Sequence, residues 1–257
     1  MLPLVRRVFS RLIGKAEFIA RKVHQKLVDL GGTPPDMEPE FIQIRDRCKR
    51  YTMTGIESAY SCYRAAEYVV RHRIPGDVVE CGVWRGGSSM VFALGLMRWR
   101  DTSRRMYLYD TYEGLPEPGA RDVDPSNRPA KEKWSRRRRG AGSTWCFASI
   151  EEVQRNVLGT GYPREKIFFV KGKVEDTIPR VAPKKISILR LDTDWFKSTY
   201  HELVHLFPRL SSGGVIIIDD YGHWKGAREA VDRYLGGNRI RLFLHRIDNS
   251  VRISTKA

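Results

Sequence analysis

The sequence predicts an α/β fold in which helices cover both faces of a parallel sheet. Three observations lead there. Short apolar runs alternate with helix-forming stretches along most of the 257 residues. The first run breaks into a glycine turn at Gly82, Gly86 and Gly87. Several runs close on Glu80, Gly82, Asp110, Asp192, Asp219 and Asp220, and ligands of open parallel sheets bind outside the carboxyl ends of the strands.

The elements follow in order. Val5, Phe9, Leu12, Ile13, Ala16, Ala20, Val23 and Leu27 fall within an arc of about 100° at the helical period. Arg7, Arg11, Lys15, Arg21, Lys22 and Lys26 lie opposite them, and Phe18 projects into this basic face. Such a helix either lies on an anionic membrane surface or docks on its own domain or a second subunit with the basic face in water. Residues 31–36, Gly-Gly-Thr-Pro-Pro-Asp, read as a linker, so a segment 1–35 precedes a domain 36–257. In that domain the pattern predicts a helix over 56–71, a strand over 77–81, a helix over 88–98 and a strand over 106–110. A long irregular stretch follows, an insert over about 112–147 with loop chemistry. Then come a helix over 150–158, a strand over 166–170, a strand over 186–192, a helix over 199–210, a strand over 214–219 and a helix near 224–235. Strands over 241–245 and 251–254, around a turn at Asp248 and Asn249, close the chain.

Composition sets the outer limits. Apolar residues make up 41% and charged residues 30%, which excludes disorder of the whole chain. The purest apolar run is residues 215–218, far short of a membrane span. Cys48, Cys62, Cys81 and Cys146 form no Cys-x-x-Cys pair, so neither a disulfide scaffold nor a zinc module is expected. The chain reads as reduced and cytoplasmic. Its net charge of +16 is uneven: residues 1–27 carry +6 and residues 131–139 carry +5. The run Arg136–Arg139 either contacts a phosphate-bearing ligand or lipid headgroup or belongs to a solvated loop.

The glycine turn is neither the dinucleotide G-x-G-x-x-G nor a P-loop. Its glycines allow close approach of backbone to a ligand. Glu80 suits a cationic group, and Asp110 at the next strand end suits ribose hydroxyls. A cationic amino-acid end plus a ribose describes S-adenosylmethionine. At the other strand ends, Asp192, Asp219 and Asp220 converge if their strands are neighbours. Close carboxylates without a counter-charge repel, and an all-oxygen set suits Mg2+ or Mn2+. The competing reading makes some of them helix caps, for which Asp194 is the natural candidate.

Five stretches carry a resemblance: residues 74–88 (IPGDVVECGVWRGGS), 108–116 (LYDTYEGLP), 172–179 (GKVEDTIP), 189–199 (LRLDTDWFKST) and 213–224 (GGVIIIDDYGHW). Over roughly residues 50–257 the chain resembles the TylF/MycF family of macrocin-type O-methyltransferases. The resemblance implies a Rossmann-like class I methyltransferase fold with a mostly parallel seven-stranded sheet. It implies S-adenosylmethionine- and Mg2+-dependent methyl transfer to a sugar hydroxyl, and a homo-oligomer. By the same resemblance Glu80, Gly82 and Ser88 line the methionine end, Asp110 holds the ribose, and Glu175 or Asp176 borders the adenine. Asp192, Asp219 and Asp220 match the metal ligands, and Asp192 also the general base. His223 is the second candidate base; His201, on a helix, reads as structural. The basic N-terminal helix and the insert around Arg136–Arg139 depart from the family pattern, the insert falling where the family carries its substrate-covering loop.

The expected function is therefore a metal-dependent O-methyltransferase whose acceptor is a small molecule or glycan. The basic segments raise an anionic or lipid-linked glycan, met at the inner membrane face. The alternative is a nucleic-acid methyltransferase using those segments for binding; the carboxylates and the lack of an RNA-binding module argue against it.

Overall fold

A computed structural model describes residues 34–257 except residue 141. The amphipathic stretch 5–27 and most of the linker lie outside the described residues. The chain divides at Ile42/Gln43. Before that point the described residues make a turn, with the Met37 N–H donating to the Pro34 carbonyl at 3.0 Å, and begin helix α1 (Pro39–Cys48).

Next come α2 (Ile56–Arg71), β1 (Asp77–Cys81), α3 (Gly87–Arg98) and β2 (Met106–Asp110). The insert holds α4 (Ala130–Ser135) and a hairpin of β3 (Arg138–Arg139) and β4 (Gly142–Ser143). The chain continues through α5 (Ile150–Leu158), β5 (Ile167–Lys171), α6 (Val174–Thr177), β6 (Ile186–Leu191), α7 (Phe196–Leu206), β7 (Leu210–Ile218), α8 (Lys225–Gly237), β8 (His245–Arg246) and β9 (Arg252–Thr255).

The main sheet has the order β5-β2-β1-β6-β7-β9-β8. The strands from β5 to β7 are parallel, and β9 runs antiparallel to β7. Strands buried on both faces must be apolar throughout, which is why Val78, Val79, Met106, Leu108, Ile188, Leu189 and Ile216 are all fully buried. Val79, Tyr109, Leu189, Leu191, Ile216 and Ile218 form one core with Leu203 and Leu206 of α7 and Val231 of α8. The alternate residues point the other way, to the face that α2 covers. From β1 the chain builds outward to β2 and β5, then returns to place β6 on the other side of β1. The β1/β6 boundary is thus the switch point at which such sheets open a crevice.

Several boundaries differ from the sequence expectation. The helix expected over 199–210 begins at Phe196 and stops at Leu206, and a 3-10 turn (Phe207–Arg209) follows. Pro208 cannot continue an α-helix. β7 consequently starts at Leu210, four residues early. The strand expected over 241–245 shrinks to His245–Arg246, while the turn at Asp248 forms, its carboxylate accepting from the Ser250 and Val251 N–H groups at 2.7 and 2.8 Å. The expected loop around the four arginines contains the β3–β4 hairpin. Among the described residues no helix is long and apolar enough to cross a membrane.

Candidate active site

β1 leaves the sheet at Gly82, with φ +83°. A Cβ there would stand 1.8 Å from the Asp192 carbonyl oxygen, so only glycine lets the ends of β1 and β6 meet. The Gly82 N–H donates to the Tyr109 carbonyl and the Asp192 N–H to the Cys81 carbonyl, both at 2.8 Å. Asp110, at the end of β2, bolts the turn down. Its carboxylate accepts from the N–H groups of Val83 at 2.7 Å, Trp84 at 3.0 Å and Tyr112 at 2.8 Å. Burial raises its pKa against the pull of those backbone donors.

Across the switch point the acids gather. Asp192 follows β6, and Asp219 and Asp220 follow β7; one carboxylate oxygen from each lies within 4.8 Å of the others. The sequence leaves them uncompensated, and the structure corrects this. Arg190 lies opposite Glu80 in the β1–β6 register and is only 1% exposed. Its Nη1 donates to Glu80 Oε1 at 2.8 Å and Asp192 Oδ2 at 2.7 Å, and its Nη2 to Asp219 Oδ1 at 2.6 Å. Its Nε finds no partner among the described residues. A buried guanidinium requires such partners, so one cation organises carboxylates from three strands.

One guanidinium does not balance the cluster, which also contains Asp194. The Asp194 carboxylate accepts from Trp224 Nε1 at 2.7 Å, and its N–H donates to Asp220 Oδ2 at 3.0 Å. Burial pushes Asp192, Asp194 and Asp220 well above the usual carboxylate range, and neighbouring acids push in the same direction. Arg190 occupies one oxygen of Asp192 and one of Asp219, and the Asp194 N–H occupies one of Asp220. The other oxygen of each is left for a cation. The Asp192 and Asp219 side chains are 29% and 21% exposed against 2% for Arg190, so the open edge faces outward. Hard oxygen donors with excess negative charge fit Mg2+ or Mn2+.

The other expected site residues distribute along the same rim. Glu80 is buried, its second oxygen taken by the Ser89 hydroxyl. The Ser88 hydroxyl lies 3.4 Å from that of Thr54. Glu175, beside Lys197 at 3.9 Å, and the exposed Asp176 belong to α6, beyond the end of β5. Glu175, Asp110 and Glu80 therefore mark three adjacent strand ends, which span about 10 Å at normal strand spacing. The acids of β6 and β7 extend the row on the other side. The His223 N–H donates to the Asp220 carbonyl at 3.0 Å, and its ring stands edge-on to Trp224. His201 Nε2 pairs with the Ile178 carbonyl at 2.9 Å and its ring packs on His205, a structural role.

Sequence reasoning missed several contributors. Arg190 carried a signal, a lone charge inside the apolar run 186–191. Glu202 of α7 is fully buried; it accepts from the Thr193 hydroxyl at 2.8 Å, and burial pushes its pKa well up, with Glu175 adding to the effect. Trp145, Trp195 and Trp224 meet edge to face with ring centres 5.1–5.9 Å apart. Trp224 carries this cluster to Asp194, and Trp195 Nε1 donates to the Pro116 carbonyl at 3.0 Å. Asp122 accepts from the Phe196 and Gly119 N–H groups at 2.8 and 2.7 Å. The insert is thereby sewn to the start of α7, beside the acidic rim.

A profile of the macrocin-O-methyltransferase (TylF) family matches residues 42–253. The tetracenomycin enzyme of Streptomyces olivaceus, an 8-demethyl-8-(2,3-dimethoxy-alpha-L-rhamnosyl)-tetracenomycin-C 4'-O-methyltransferase, is 32% identical, covering 91% of this chain and 84% of that protein. The demethyldecarbamoylnovobiocin O-methyltransferase of Streptomyces niveus is 33% identical, covering 72% of this chain and 67% of that one. Among solved structures, the O-methyltransferase NovP superposes with a TM-score of 0.69 at 30% identity, over 80% of this chain and 82% of that chain.

Proposed function

The chain belongs to the macrocin-O-methyltransferase (TylF) family, and we propose that it methylates a sugar hydroxyl at the acidic rim of β6 and β7. It is an O-methyltransferase, and its methyl donor is S-adenosylmethionine. The sugar belongs to a glycosylated natural product or a cell-surface glycan, and Asp192, Asp219 and Asp220 hold Mg2+ or Mn2+. The Streptomyces olivaceus relative is named for a rhamnosyl-bearing acceptor, which supports a sugar here. The observation that carries the reading is the placement of three carboxylates directly across the switch point from the glycine turn. Those carboxylates repel a polyanion, so a nucleic-acid acceptor is not favoured.

S-adenosylmethionine supplies a sulfonium methyl whose C–S bond breaks as the acceptor oxygen forms the new C–O bond. A divalent cation, when bound, supplies Lewis acidity toward the acceptor hydroxyl and offsets the carboxylate charge. The chain's own residues do the rest. Gly82 keeps the β1 end clear of side chain, Glu80 and Ser88 border the methionine end, and Glu175 and Asp176 border the adenine. Asp110 serves the ribose side by fixing the Val83 and Trp84 amides. Asp192 takes the hydroxyl proton, oriented by Arg190 on its other oxygen. His223 is the second base. Much of the acceleration comes from holding donor and acceptor in line.

Calorimetry of S-adenosylmethionine and of Mg2+, on the wild type and on Asp219→Ala/Asp220→Ala, tests the reading. Both proteins are expected to bind the donor and only the wild type the metal. Absence of donor binding in both would overturn it. We also assign the chain to a homo-oligomer on the cytoplasmic side, with residues 1–27 contacting either a membrane surface or their own domain or a second subunit. Sedimentation velocity and liposome flotation of the full chain against a deletion of residues 1–30 test those two points.

A further inference from the structure

We propose that the β3–β4 hairpin is a phosphate-binding rim, so that the sugar acceptor carries a phosphate or diphosphate. This inference rests on the sugar-methylating reading and names the substrate class within it.

The neighbouring cations of the insert are already engaged, Lys133 by the Trp145 ring 3.9 Å from its Nζ and the other three by carboxylates. Lys131 pairs with Glu117 at 2.9 Å, Arg128 with Asp124 at 2.6 Å and Arg121 with Glu229 at 3.5 Å. Arg136, Arg137, Arg138 and Arg139 are exposed and pair with no carboxylate among the described residues. Like charges in a row repel unless an anion joins them.

These arginines do not hang from a structureless loop. Arg138 pairs with Ser143 and Arg139 with Gly142. The Ser143 N–H donates to the Glu113 carbonyl at 3.0 Å, and the Leu115 N–H to the Trp145 carbonyl at 2.9 Å. A Cβ on Gly142 would stand 2.2 Å from the Glu113 carbonyl oxygen, so the hairpin backbone is pressed onto the 113–115 segment. The Arg138 and Arg139 guanidiniums each lie 5.8 Å from an aromatic ring, of Trp134 and Phe147 respectively. Arg138 Nε also donates to the Gly140 carbonyl at 3.4 Å, and guanidiniums whose Nη donors have no partner among the described residues suit bidentate contact with phosphate oxygens.

The hairpin also stands in the right place. Ser143 lies two residues from Trp145, whose ring meets those of Trp195 and Trp224. Trp224 holds Asp194, next to the acid cluster. The indoles of Trp145 and Trp224 thus link the hairpin to the acids, so that a sugar and a phosphate joined to it can meet the two poles together. A basic pole beside an acidic one sorts such a molecule by its ends. The carboxylates repel the phosphate and accept the neutral sugar, and the arginines hold the phosphate outside.

The test uses the full-length protein and the variant Arg136→Gln/Arg137→Gln/Arg138→Gln/Arg139→Gln, whose substitutions are all at the surface. Calorimetry measures pyrophosphate, UDP-glucose and, as a control for the donor site, S-adenosylhomocysteine. Co-sedimentation measures phosphatidylcholine vesicles doped with polyprenyl phosphate. The wild type is expected to bind pyrophosphate and one of the two carriers, with affinity reduced about tenfold or more in the variant, and both proteins to bind S-adenosylhomocysteine equally. Preference for UDP-glucose identifies a soluble nucleotide-linked sugar, and preference for the doped vesicles a lipid-linked one. If no phosphate probe binds, or the variant binds as well as the wild type, the inference falls while the methyltransferase reading stands. Tighter binding of an RNA oligonucleotide than of any phosphate probe overturns it as well. Failure of the wild type to bind S-adenosylhomocysteine sinks the reading underneath.

Discussion

The two sides of the switch point are built on opposite terms. On the β1–β2 side the polar groups are satisfied within the protein. Asp110 spends its carboxylate on three backbone N–H groups, and Gly82 is locked against the Asp192 carbonyl. On the β6–β7 side, Asp192, Asp194, Asp219 and Asp220 gather beside one guanidinium that reaches only Asp192 and Asp219, and the insert beside them holds four arginines that pair with no carboxylate among the described residues. A satisfied polar group holds the framework, whereas an unsatisfied one calls for an explanation, of which a bound ligand or ion is one. The first side shapes a surface, and the second waits for charge.

That contrast can be broken at its centre by Arg190→Met. Glu80, Asp192 and Asp219 would lose their shared cation, and leaving buried charge unpaired typically costs about 3–5 kcal/mol. Urea unfolding should show it, and Arg190→Lys should recover only part. A loss below about 1 kcal/mol would mean that the carboxylates do not need their buried partner. Gly82→Ala comes next. Its Cβ meets backbone at 1.8 Å and its φ is +83°, so a loss of about 2–4 kcal/mol is expected. Retained stability would show that the meeting of β1 and β6 is not rigid.

Asp219→Asn/Asp220→Asn sharpens the comparison from the other side. Stability without metal should change by about 1 kcal/mol or less. The rise in Tm that Mg2+ gives the wild type should disappear, because a ligand stabilises only the state that binds it. Equal Mg2+ shifts in both proteins would move the metal elsewhere.

The smallest effect concerns Glu202. Burial raises its folded pKa, so between the unfolded and folded values the native state holds more protons than the unfolded state. Its contribution therefore worsens as pH rises. Glu175 adds to that shift, and the Cys81 thiol packs beside the carboxyl and opposes it. Glu202→Gln should unfold at slightly higher temperature than the wild type at pH 8, with the gap closing toward pH 4. A gap that widens on acidification would contradict the buried neutral carboxyl.

Much of this was legible in the chain. The strands over 77–81 and 106–110 and the helices over 56–71 and 150–158 agree with the structure residue for residue. Their signals are local: apolar runs, periodicity and a Ser149 cap. Asp192, Asp219 and Asp220 were expected to converge, and they do. The insert was harder to read. Its hairpin is held by Glu113 and Leu115, far back in sequence, and two-residue strands leave no alternation to detect.

By itself the sequence determined the order of the elements and the strand ends on which the acids stand. These depend on residues within one turn or strand of each other. The tertiary structure decided which charges meet. Arg190 finds Glu80 across 110 residues and Asp219 across 29, and it does so because β6 lies between β1 and β7 in a register that aligns Glu80, Arg190 and Ile217, two residues before Asp219. Pairing across a sheet depends on strand order and register, and neither is written in any single stretch of chain.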